Sequence, residues 1–288
     1  MNVMFAASVI IPAFNAATTL GCQLRALADQ EDAPPFEVIV ADNGSTDDTR
    51  AVAETYRGIL DIRVIDASAR RGPAAARNIG THFANAPLIL FCDADDRVDR
   101  GWVRGLADAL QHYRLATGPV IPAGPSPIVD VTHDMQPESR GLTRRFMNLV
   151  PIAGAGHLGI RREYFEALSG FDEGMICSED VDICVRAYIG GTRLGWAPEA
   201  VLYRSERVKL RQMARQRFNW GYYDVIAYKK YRDILGLRMD AVGMLRPYVA
   251  LAARSYRLAT RQRRWWIQSI AYRAGRLTGS IRARVVCP

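Results

Sequence analysis

The sequence predicts an α/β fold, in which a mainly parallel sheet is flanked by helices and followed by a basic helical C-terminal region. Strand-like and helix-like segments alternate four times before residue 93. The strands are continuous apolar runs, which is typical of strands covered on both faces. Residues 1–202 carry 18 Lys and Arg against 26 Asp and Glu, whereas residues 203–288 carry 20 against 4. The alternation indicates helices on both faces of the sheet, and the change in charge indicates a separate C-terminal region.

The N-terminal elements follow from apolar runs and helical spacing. Strands are predicted at 3–12, 36–41, 62–65 and 88–92, and helices at 16–30, 49–56 and 72–84. Pro12 is expected to end the first strand, and Asn15 to cap the first helix. Ser45, Thr46 and Asp47 are the candidate caps of the second helix.

The second half of the chain is less regular. Helices are predicted at 102–113, 161–168 and 178–188, the last capped by Ser178, and short strands at 193–196 and 201–203. Residues 117–141 are proline-rich and predict a long connection or an irregular edge strand. The glycine-rich stretch 154–160 allows close backbone approach. The basic, Trp-containing segment 243–277 predicts an amphipathic helix, in which Arg254, Arg257, Arg261 and Arg264 share one face.

An acidic triplet follows the fourth strand directly. Asp93, Asp95 and Asp96 come after the apolar run Leu88–Cys92. Ligands of open α/β sheets bind beyond the carboxyl ends of the strands, and hard divalent cations prefer carboxylate oxygens. The triplet therefore predicts a metal site, and a solvated acidic turn is the alternative.

Composition narrows the class of protein. The longest apolar runs are too short to cross a bilayer, and residues 3–12 are expected to be a strand rather than a secretory signal. Five cysteines without a CxxC motif argue against a disulfide framework, so we expect a reducing cytoplasm.

Four motifs in order carry a family resemblance. They are SVIIPAFNAATTL at 8–20, VADNGSTDDT at 40–49, GPAAARNIG at 72–80 with CDADD at 92–96, and SEDVDICVRA at 178–187. Together they resemble the family 2 glycosyltransferases of the GT-A fold, over roughly residues 6–205 with a weaker similarity to about residue 221. The resemblance implies a nucleotide-diphospho-sugar transferase domain at 1–205, with a nucleotide-sugar half at 1–100 and an acceptor half at 101–205. Residues 206–288 would form the helical extension.

The resemblance also implies roles for individual residues in donor binding. The nucleotide would be walled by the loop after the first strand, and Asp42 would accept the imide N–H of a uracil or thymine. Arg77 would reach the nucleotide or diphosphate. The family's DxD motif matches Asp93, Ala94 and Asp95, with the two acids facing the ribose and a Mg²⁺ or Mn²⁺ ion. The loop residues are Pro12, Phe14 and Asn15. For each of these positions the alternative is ordinary turn chemistry or a solvated charge.

The acceptor side matches the ED pair of the family. Asp180 would take the proton of the acceptor hydroxyl in a direct displacement that inverts the anomeric centre, and Glu179 would support the site. The alternative for both is an acid-rich helix N-terminus.

Three departures from the family pattern concern the metal and the acceptor. Where many relatives have a metal-binding His, this chain has Tyr203-Arg204, which implies weaker metal binding or a charge supplied by Arg204. His157 replaces a common Asn in the glycine-rich loop, so it is either an acceptor contact or a structural residue. The sequence QRFNW at 216–220 nearly matches a signature of processive synthases, which places Arg217 near phosphates and Trp220 on the acceptor.

The basic tail has three interpretations. It contacts an anionic membrane through 243–277, it packs as a helical subdomain on the acidic body or across a homodimer, or it binds nucleic acid. No nucleic-acid recognition fold accompanies the charge, so we expect no nucleic-acid partner.

These observations together predict an enzyme. We expect an inverting, metal-dependent, non-processive transferase that moves a sugar, from a UDP-sugar, to an acceptor hydroxyl, in a cytoplasmic or inner-membrane-peripheral location. The alternatives are a catalytically decayed scaffold and a sugar nucleotidyltransferase; the latter would need a glycine-rich basic loop, which residues 12–19 lack.

Overall fold

The computed structural model describes residues 4–123, 141–142, 145–205, 209–237, 248–256 and 263–287. The described chain divides into two compact units. The first comprises the described residues up to Ser205, and the second comprises those from residue 209 onward. Each unit is described by itself.

The first unit is built on a seven-stranded sheet with the strand order β11-β6-β10-β4-β1-β2-β3. The pairs β1–β2, β1–β4, β2–β3 and β6–β11 are parallel. Among the described strands of this sheet, only β10 runs antiparallel to both of its neighbours, β4 and β6. The strands are β1 (Ala7–Ala13), β2 (Phe36–Asp42), β3 (Ile62–Asp66), β4 (Leu88–Cys92), β6 (Leu115–Thr117), β10 (His157–Arg161) and β11 (Leu194–Trp196). The predicted mainly parallel sheet is confirmed.

Helices cover both faces of this sheet. One face packs on the first and fourth helices through side chains such as Ile11, Leu24 and Trp102. The other face packs on the third, where Gly80 lies against Ile10, and on the fifth, where the Phe165 ring meets Phe91. The helices of this unit are α1 (Leu20–Ala28), α2 (Thr49–Glu54), α3 (Pro73–His82), α4 (Trp102–His112), α5 (Arg162–Ala167) and α6 (Glu179–Ile189).

Two small sheets complete the first unit. The first has the strand order β5-β12-β7 and the second pairs β8 with β9. Their strands are β5 (Arg97–Val98), β7 (Val120–Ala123), β8 (Arg145–Phe146), β9 (Val150–Pro151) and β12 (Leu202–Ser205). Because β5 and β12 pair, the acidic turn after β4 lies next to Arg204 and Ser205.

The second unit centres on two long helices, α7 (Leu210–Tyr231) and α8 (Arg263–Ala283). They touch through their backbones: a Cβ at Gly221 would overlap the Tyr272 carbonyl, and one at Gly275 would overlap the Phe218 carbonyl. Residues 248–253 are also helical. No described helix is long and apolar enough to cross a membrane.

Several local predictions are corrected. Pro12 lies inside β1, and α1 begins at Leu20 without a cap from Asn15, whose side chain instead bonds the loop after β2. Ser178 precedes α6 in a left-handed conformation (φ 67°) and makes no capping bond. Of the predicted helix at 243–277, residues 248–256 and 263–277 are described, and 248–253 and 263–277 are helical. Residues 243–247 and 257–262, including Arg257 and Arg261, lie outside the described residues, as does most of the predicted connection at 117–141.

Candidate active site

Most of the predicted donor residues meet at the carboxyl ends of β1, β2 and β4. Parallel pairing brings these ends to one edge of the sheet, where Ala13 is in register with Asp42. Loops after the strands then supply the polar groups, as expected for an open α/β sheet. The structure places the predicted residues of this edge together.

The two loops at this edge are joined by side-chain hydrogen bonds. The backbone N–H of Asn15 donates to Ser45 Oγ (3.0 Å), and the backbone N–H of Thr46 donates to the side-chain Oδ1 of Asn15 (2.8 Å). Asn15 adopts φ 49°, a left-handed conformation that Asn tolerates better than most residues. The half-exposed ring of Phe14 lies under the Arg71 guanidinium, 5.2 Å from its centroid. The loop after β1 is therefore held in place and presents an aromatic face.

Asp42 is buried under an arginine that the sequence did not single out. Arg50 Nε donates to Asp42 Oδ2 (2.5 Å), and the Ser45 amide donates to Asp42 Oδ1 (3.1 Å). Arg50 also lies 3.6 Å from Asp66, at the end of β3. The Asp42 side chain has no accessible surface, whereas that of Arg50 is half exposed. Both oxygens of the buried Asp42 carboxylate therefore already accept hydrogen bonds.

The acidic turn forms a compact group of oxygens. Carboxylate oxygens of Asp93, Asp95 and Asp96 lie within 4.8 Å of one another. Asp95 is exposed and Asp96 is buried, where it accepts from the Ser205 amide (3.0 Å). Burial raises the pKa of Asp96 to about 7, the charge of Asp93 adds to the rise, and Arg204 opposes it. An all-carboxylate donor set fits Mg²⁺ or Mn²⁺.

Arg77 joins the donor and acceptor motifs. Its Nη2 donates to Asp93 Oδ1 (2.6 Å), and its Nη1 donates to Glu179 Oε1 (2.9 Å). Burial opposes the charged guanidinium, but the two carboxylates more than offset this and raise the pKa of Arg77. With 3% of its surface exposed, Arg77 acts here as a bridge between the DxD turn and the start of α6.

The ED pair occupies the first turn of α6. Glu179 is buried and Asp180 is half-buried, and Asp180 Oδ1 accepts from the Val181 amide (2.8 Å). Burial raises the pKa of Glu179, and the neighbouring Asp180 adds to the rise while Arg77 opposes it. Asp180 is thus the more accessible member of the pair.

Gly156 approaches the DxD turn so closely that no side chain fits. A Cβ at this position would overlap Asp93 Oδ2. The sequence indicated close approach in this stretch without identifying its partner. Gly156 therefore shapes one wall of the acidic group.

Replacing Gly156 by Ala should displace the Asp93 carboxylate. Overpacking of this kind costs about 1–3 kcal/mol, so we expect a lower free energy of unfolding and a weaker Mn²⁺-dependent rise in melting temperature with nucleotide. Urea unfolding and thermal melts measure both. Gly190→Ala is the matched control, because its nearest neighbour would lie at an ordinary 3.4 Å. Equal metal responses in the two variants would contradict the role assigned to Gly156.

His157 is a core residue, which corrects its prediction as an acceptor contact. Its side chain has no accessible surface. Trp102 Nε1 donates to Nδ1 (3.0 Å), and the Gly118 amide nitrogen lies 3.1 Å from Nε2. An imidazolium has no acceptor nitrogen, so accepting from Trp102 at Nδ1 requires the neutral ring. Burial, aided by the charge of Arg204, lowers the pKa of His157 to about 3.

The buried His157 should make the protein less stable in acid. Its pKa is lower in the folded chain than the ordinary 6.5, so the unfolded chain binds the extra proton between pH 6.5 and 3. Stability is then lost as pH falls through this window, by at most about 1.4 kcal/mol per pH unit from this group. Urea unfolding of wild type and His157→Gln at pH 7 and pH 5 isolates the effect. Parallel losses in both proteins would contradict it.

The predicted residues Arg217 and Trp220 belong to the second unit. The Arg217 guanidinium lies over the Trp220 ring (4.6 Å to the centroid), and its Nε donates to Gln268 Oε1 on α8 (3.0 Å). Within this unit Arg217 joins α7 to α8, and Trp220 packs against Arg217 on α7.

Comparison with known proteins agrees with this geometry. The family model described as "Glycosyl transferase family 2" matches residues 8–169. The pre-mycofactocin glycosyltransferase of Mycobacterium tuberculosis is 30% identical over 229 residues, which cover 74% of this chain and 46% of that protein. The validoxylamine A glucosyltransferase of Streptomyces hygroscopicus is 44% identical over 88 residues, 30% of this chain and 19% of that protein. The chain thus spans about half the length, or less, of these curated relatives.

Solved structures show the same fold. A mannosyltransferase from Pyrobaculum calidifontis, in complex with GDP-Man and Mn²⁺, superposes with a TM-score of 0.65 at 21% identity, covering 96% of this chain and 88% of that one. Residues 1–349 of Staphylococcus aureus TarS superpose with a TM-score of 0.55 at 19% identity, covering 98% and 93%. Matched by its family model over more than half its length and by the fold of these transferases, the chain belongs to the family 2 glycosyltransferases of the GT-A type.

Proposed function

We propose that the protein is an inverting, metal-dependent, non-processive glycosyltransferase that moves a sugar from a UDP-sugar to an acceptor hydroxyl. The observation that carries the proposal is the bridge from Asp93 through Arg77 to Glu179, which joins the donor turn to the acceptor motif. Chemistry at an anomeric carbon needs the leaving group on one side and a base on the other. The bridge sets the spacing of the two motifs that would supply them.

On the donor side the residues bind and orient the nucleotide. Phe14 offers an aromatic face, and Asp42 offers a carboxylate for an imide N–H once Arg50 moves aside. Asn15 joins the loop after β1 to the loop after β2, and Pro12 lies just before it in β1. Asp93, Asp95 and, less exposed, Asp96 supply oxygens that would hold a Mg²⁺ or Mn²⁺ ion. Such an ion, when bound, offsets charge on the departing diphosphate.

On the acceptor side Asp180 is the proposed general base. A glycosyl acceptor hydroxyl is a weak nucleophile, so a carboxylate placed to take its proton as the new C–O bond forms lowers the barrier. Glu179 fixes the start of α6 through Arg77 rather than taking the proton itself. One displacement with Asp180 as base inverts the configuration at the anomeric carbon.

The remaining parts of the proposal concern the whole protein. Transfer of one sugar per encounter is proposed because Asn219 stands where the processive signature has Arg. The proposed setting is glycan, glycolipid or secondary-metabolite biosynthesis in the cytoplasm. Residues 101–205 are proposed to form the half of the domain that binds the acceptor. The basic second unit is proposed to contact an anionic membrane or a second copy of the chain.

Melting temperature with nucleoside diphosphates tests the donor site. UDP, dTDP and GDP are each added with and without Mn²⁺, since a ligand bound only by the native state stabilises it by mass action. We expect UDP with Mn²⁺ at about 100 times its Kd to raise the melting temperature by roughly 5 °C, and UDP alone by less. Equal shifts in melting temperature with and without Mn²⁺ would exclude metal dependence. A larger shift with GDP than with UDP would show that the site prefers guanine to uracil. No shift with any nucleotide would overturn the donor site.

A further inference from the structure

Helix α8 has the reverse of the usual amphipathic pattern. The side that packs in the second unit carries small and polar residues, among them Gln268, Gly275 and Gly279. The opposite side exposes large apolar side chains: Ile270 is 37% exposed, Leu277 55% and Ile281 70%. A helix of a water-soluble domain normally buries its apolar stripe. Here the stripe faces outward.

The buried side explains why the pattern is reversed. Gly275 lies against the Phe218 carbonyl. A Cβ at Gly279 would lie only 2.9 Å from the Tyr222 carbonyl oxygen. Close backbone contact through small residues four apart is a way of packing helices that does not depend on burying large apolar side chains. The second unit therefore leaves Ile270, Leu277 and Ile281 for another surface.

The exposed stripe is one continuous face. Residues 270, 277 and 281 are separated by seven and four positions, so at 100° per residue they lie within about 40° of one another around the helix. Ala274 lies on the same line and is also exposed. This outer face of α8, Ile270, Ala274, Leu277 and Ile281, is long enough to make an extended contact.

Charge identifies the kind of partner. Helix α8 contains five arginines and no acid, and Arg263 and Arg282 are exposed at its two ends, followed by the exposed Arg284. A helix with an apolar face edged by arginine lies in the interface of a membrane that carries anionic lipids, where apolar burial and phosphate attraction add. No described helix is suited to crossing a membrane. The helix thus fits the membrane surface.

We infer that the outer face of α8 docks the protein on an anionic lipid bilayer, with Ile270, Leu277 and Ile281 inserted between headgroups. The inference rests on the proposed function, because it supplies the partner of the second unit and brings the transferase to lipid-linked acceptors. A second copy of the chain would bury the apolar stripe equally well but would oppose arginine to arginine, so the bilayer is favoured.

Flotation of the full chain with vesicles tests the docking. Vesicles of phosphatidylcholine alone are compared with vesicles that contain 30% phosphatidylglycerol, for wild type and for the triple variant Ile270→Ser, Leu277→Ser, Ile281→Ser. We expect binding to the anionic vesicles, and a loss of about 10-fold or more in the triple variant. Arg282→Gln with Arg284→Gln should weaken binding roughly 25-fold. Ile234→Ser, at a 63% exposed residue of the same unit, is the control and should bind like wild type.

The outcomes separate this inference from the proposed function. No binding of wild type to anionic vesicles, or equal binding by the triple variant, overturns the docking. A wild-type dimer in light scattering that becomes a monomer in the triple variant would assign the face to a second copy and also overturn it. Nucleotide-dependent melting shifts should be the same in wild type and the triple variant. If nucleotides did not shift the melting temperature of the wild type, that result would instead contradict the proposed function.

Discussion

Asp180→Asn should lower kcat by about 10²- to 10⁴-fold while leaving nucleotide binding intact. The amide keeps the size of the carboxylate but cannot take a proton from the acceptor hydroxyl. Asp180 is half-buried at the start of α6, and its neighbour Glu179 is held by Arg77, so the substitution leaves the bridge in place. Turnover of a UDP-sugar in the presence of Mn²⁺, together with melting shifts by UDP, measures the two effects separately.

The control for Asp180→Asn is Glu166→Gln, an exposed carboxylate paired with Arg162 on α5. This variant also removes one negative charge, but at a site outside the Asp93–Arg77–Glu179 bridge, and it should leave kcat unchanged. Equal turnover by wild type and Asp180→Asn would refute the general-base role. Turnover by neither protein, with UDP still bound, would favour a catalytically decayed scaffold.

Arg77→Met should destabilise the first unit by about 3–5 kcal/mol and abolish activity. Methionine fills similar volume, but it leaves Asp93 and the buried Glu179 as neighbouring carboxylates without their shared cation. Part of the cost will be offset by uptake of a proton, because burial already raises the pKa of Glu179. The free energy of unfolding in urea at pH 7 and at pH 5 measures the loss and its partial recovery in acid.

Two further variants define the role of Arg77. Arg77→Lys keeps the charge but cannot reach two carboxylates with a planar fork, so we expect an intermediate loss of both stability and activity. Arg57→Met removes an exposed partner of Glu54 and should cost less than about 1 kcal/mol. A loss in Arg77→Met no larger than in Arg57→Met would show that the bridge contributes little.

The sequence predicted the sheet well because several of its strands are marked by short continuous runs of apolar residues. Apolar runs that end in aspartate define β2 and β4, and helical spacing between them leaves few alternatives to parallel pairing. The positions of Asp42 and Asp93 at the strand ends follow from the same runs.

What the sequence did not predict depends on pairs of distant residues. Arg77 and Glu179 are 102 positions apart, and nothing local shows that one arginine serves both motifs. Arg50 over Asp42 and the burial of His157 against Trp102 are of the same kind. A histidine in a glycine-rich stretch gives no local sign of which face of its strand it will occupy. The cap predicted at Asn15 was wrong for another reason, because the Asn15 side chain accepts from Thr46 in the neighbouring loop instead.

Strand β10 has a consequence for the order in which the chain assembles. Strand β2 pairs with β1 and with β3 across 29 and 24 positions, whereas Leu88 of β4 pairs with Ala7 of β1 across 81 positions and His157 of β10 pairs with Cys92 of β4 across 65. Closing loops of this length costs more entropy than closing the two short crossovers, so the native pairing of β4, and then of β10 on β4, is expected to come late. Gly156, directly before β10, then reaches Asp93 only in the last steps of folding. A nascent chain released before about residue 160 would therefore hold its acidic turn without the wall that shapes it.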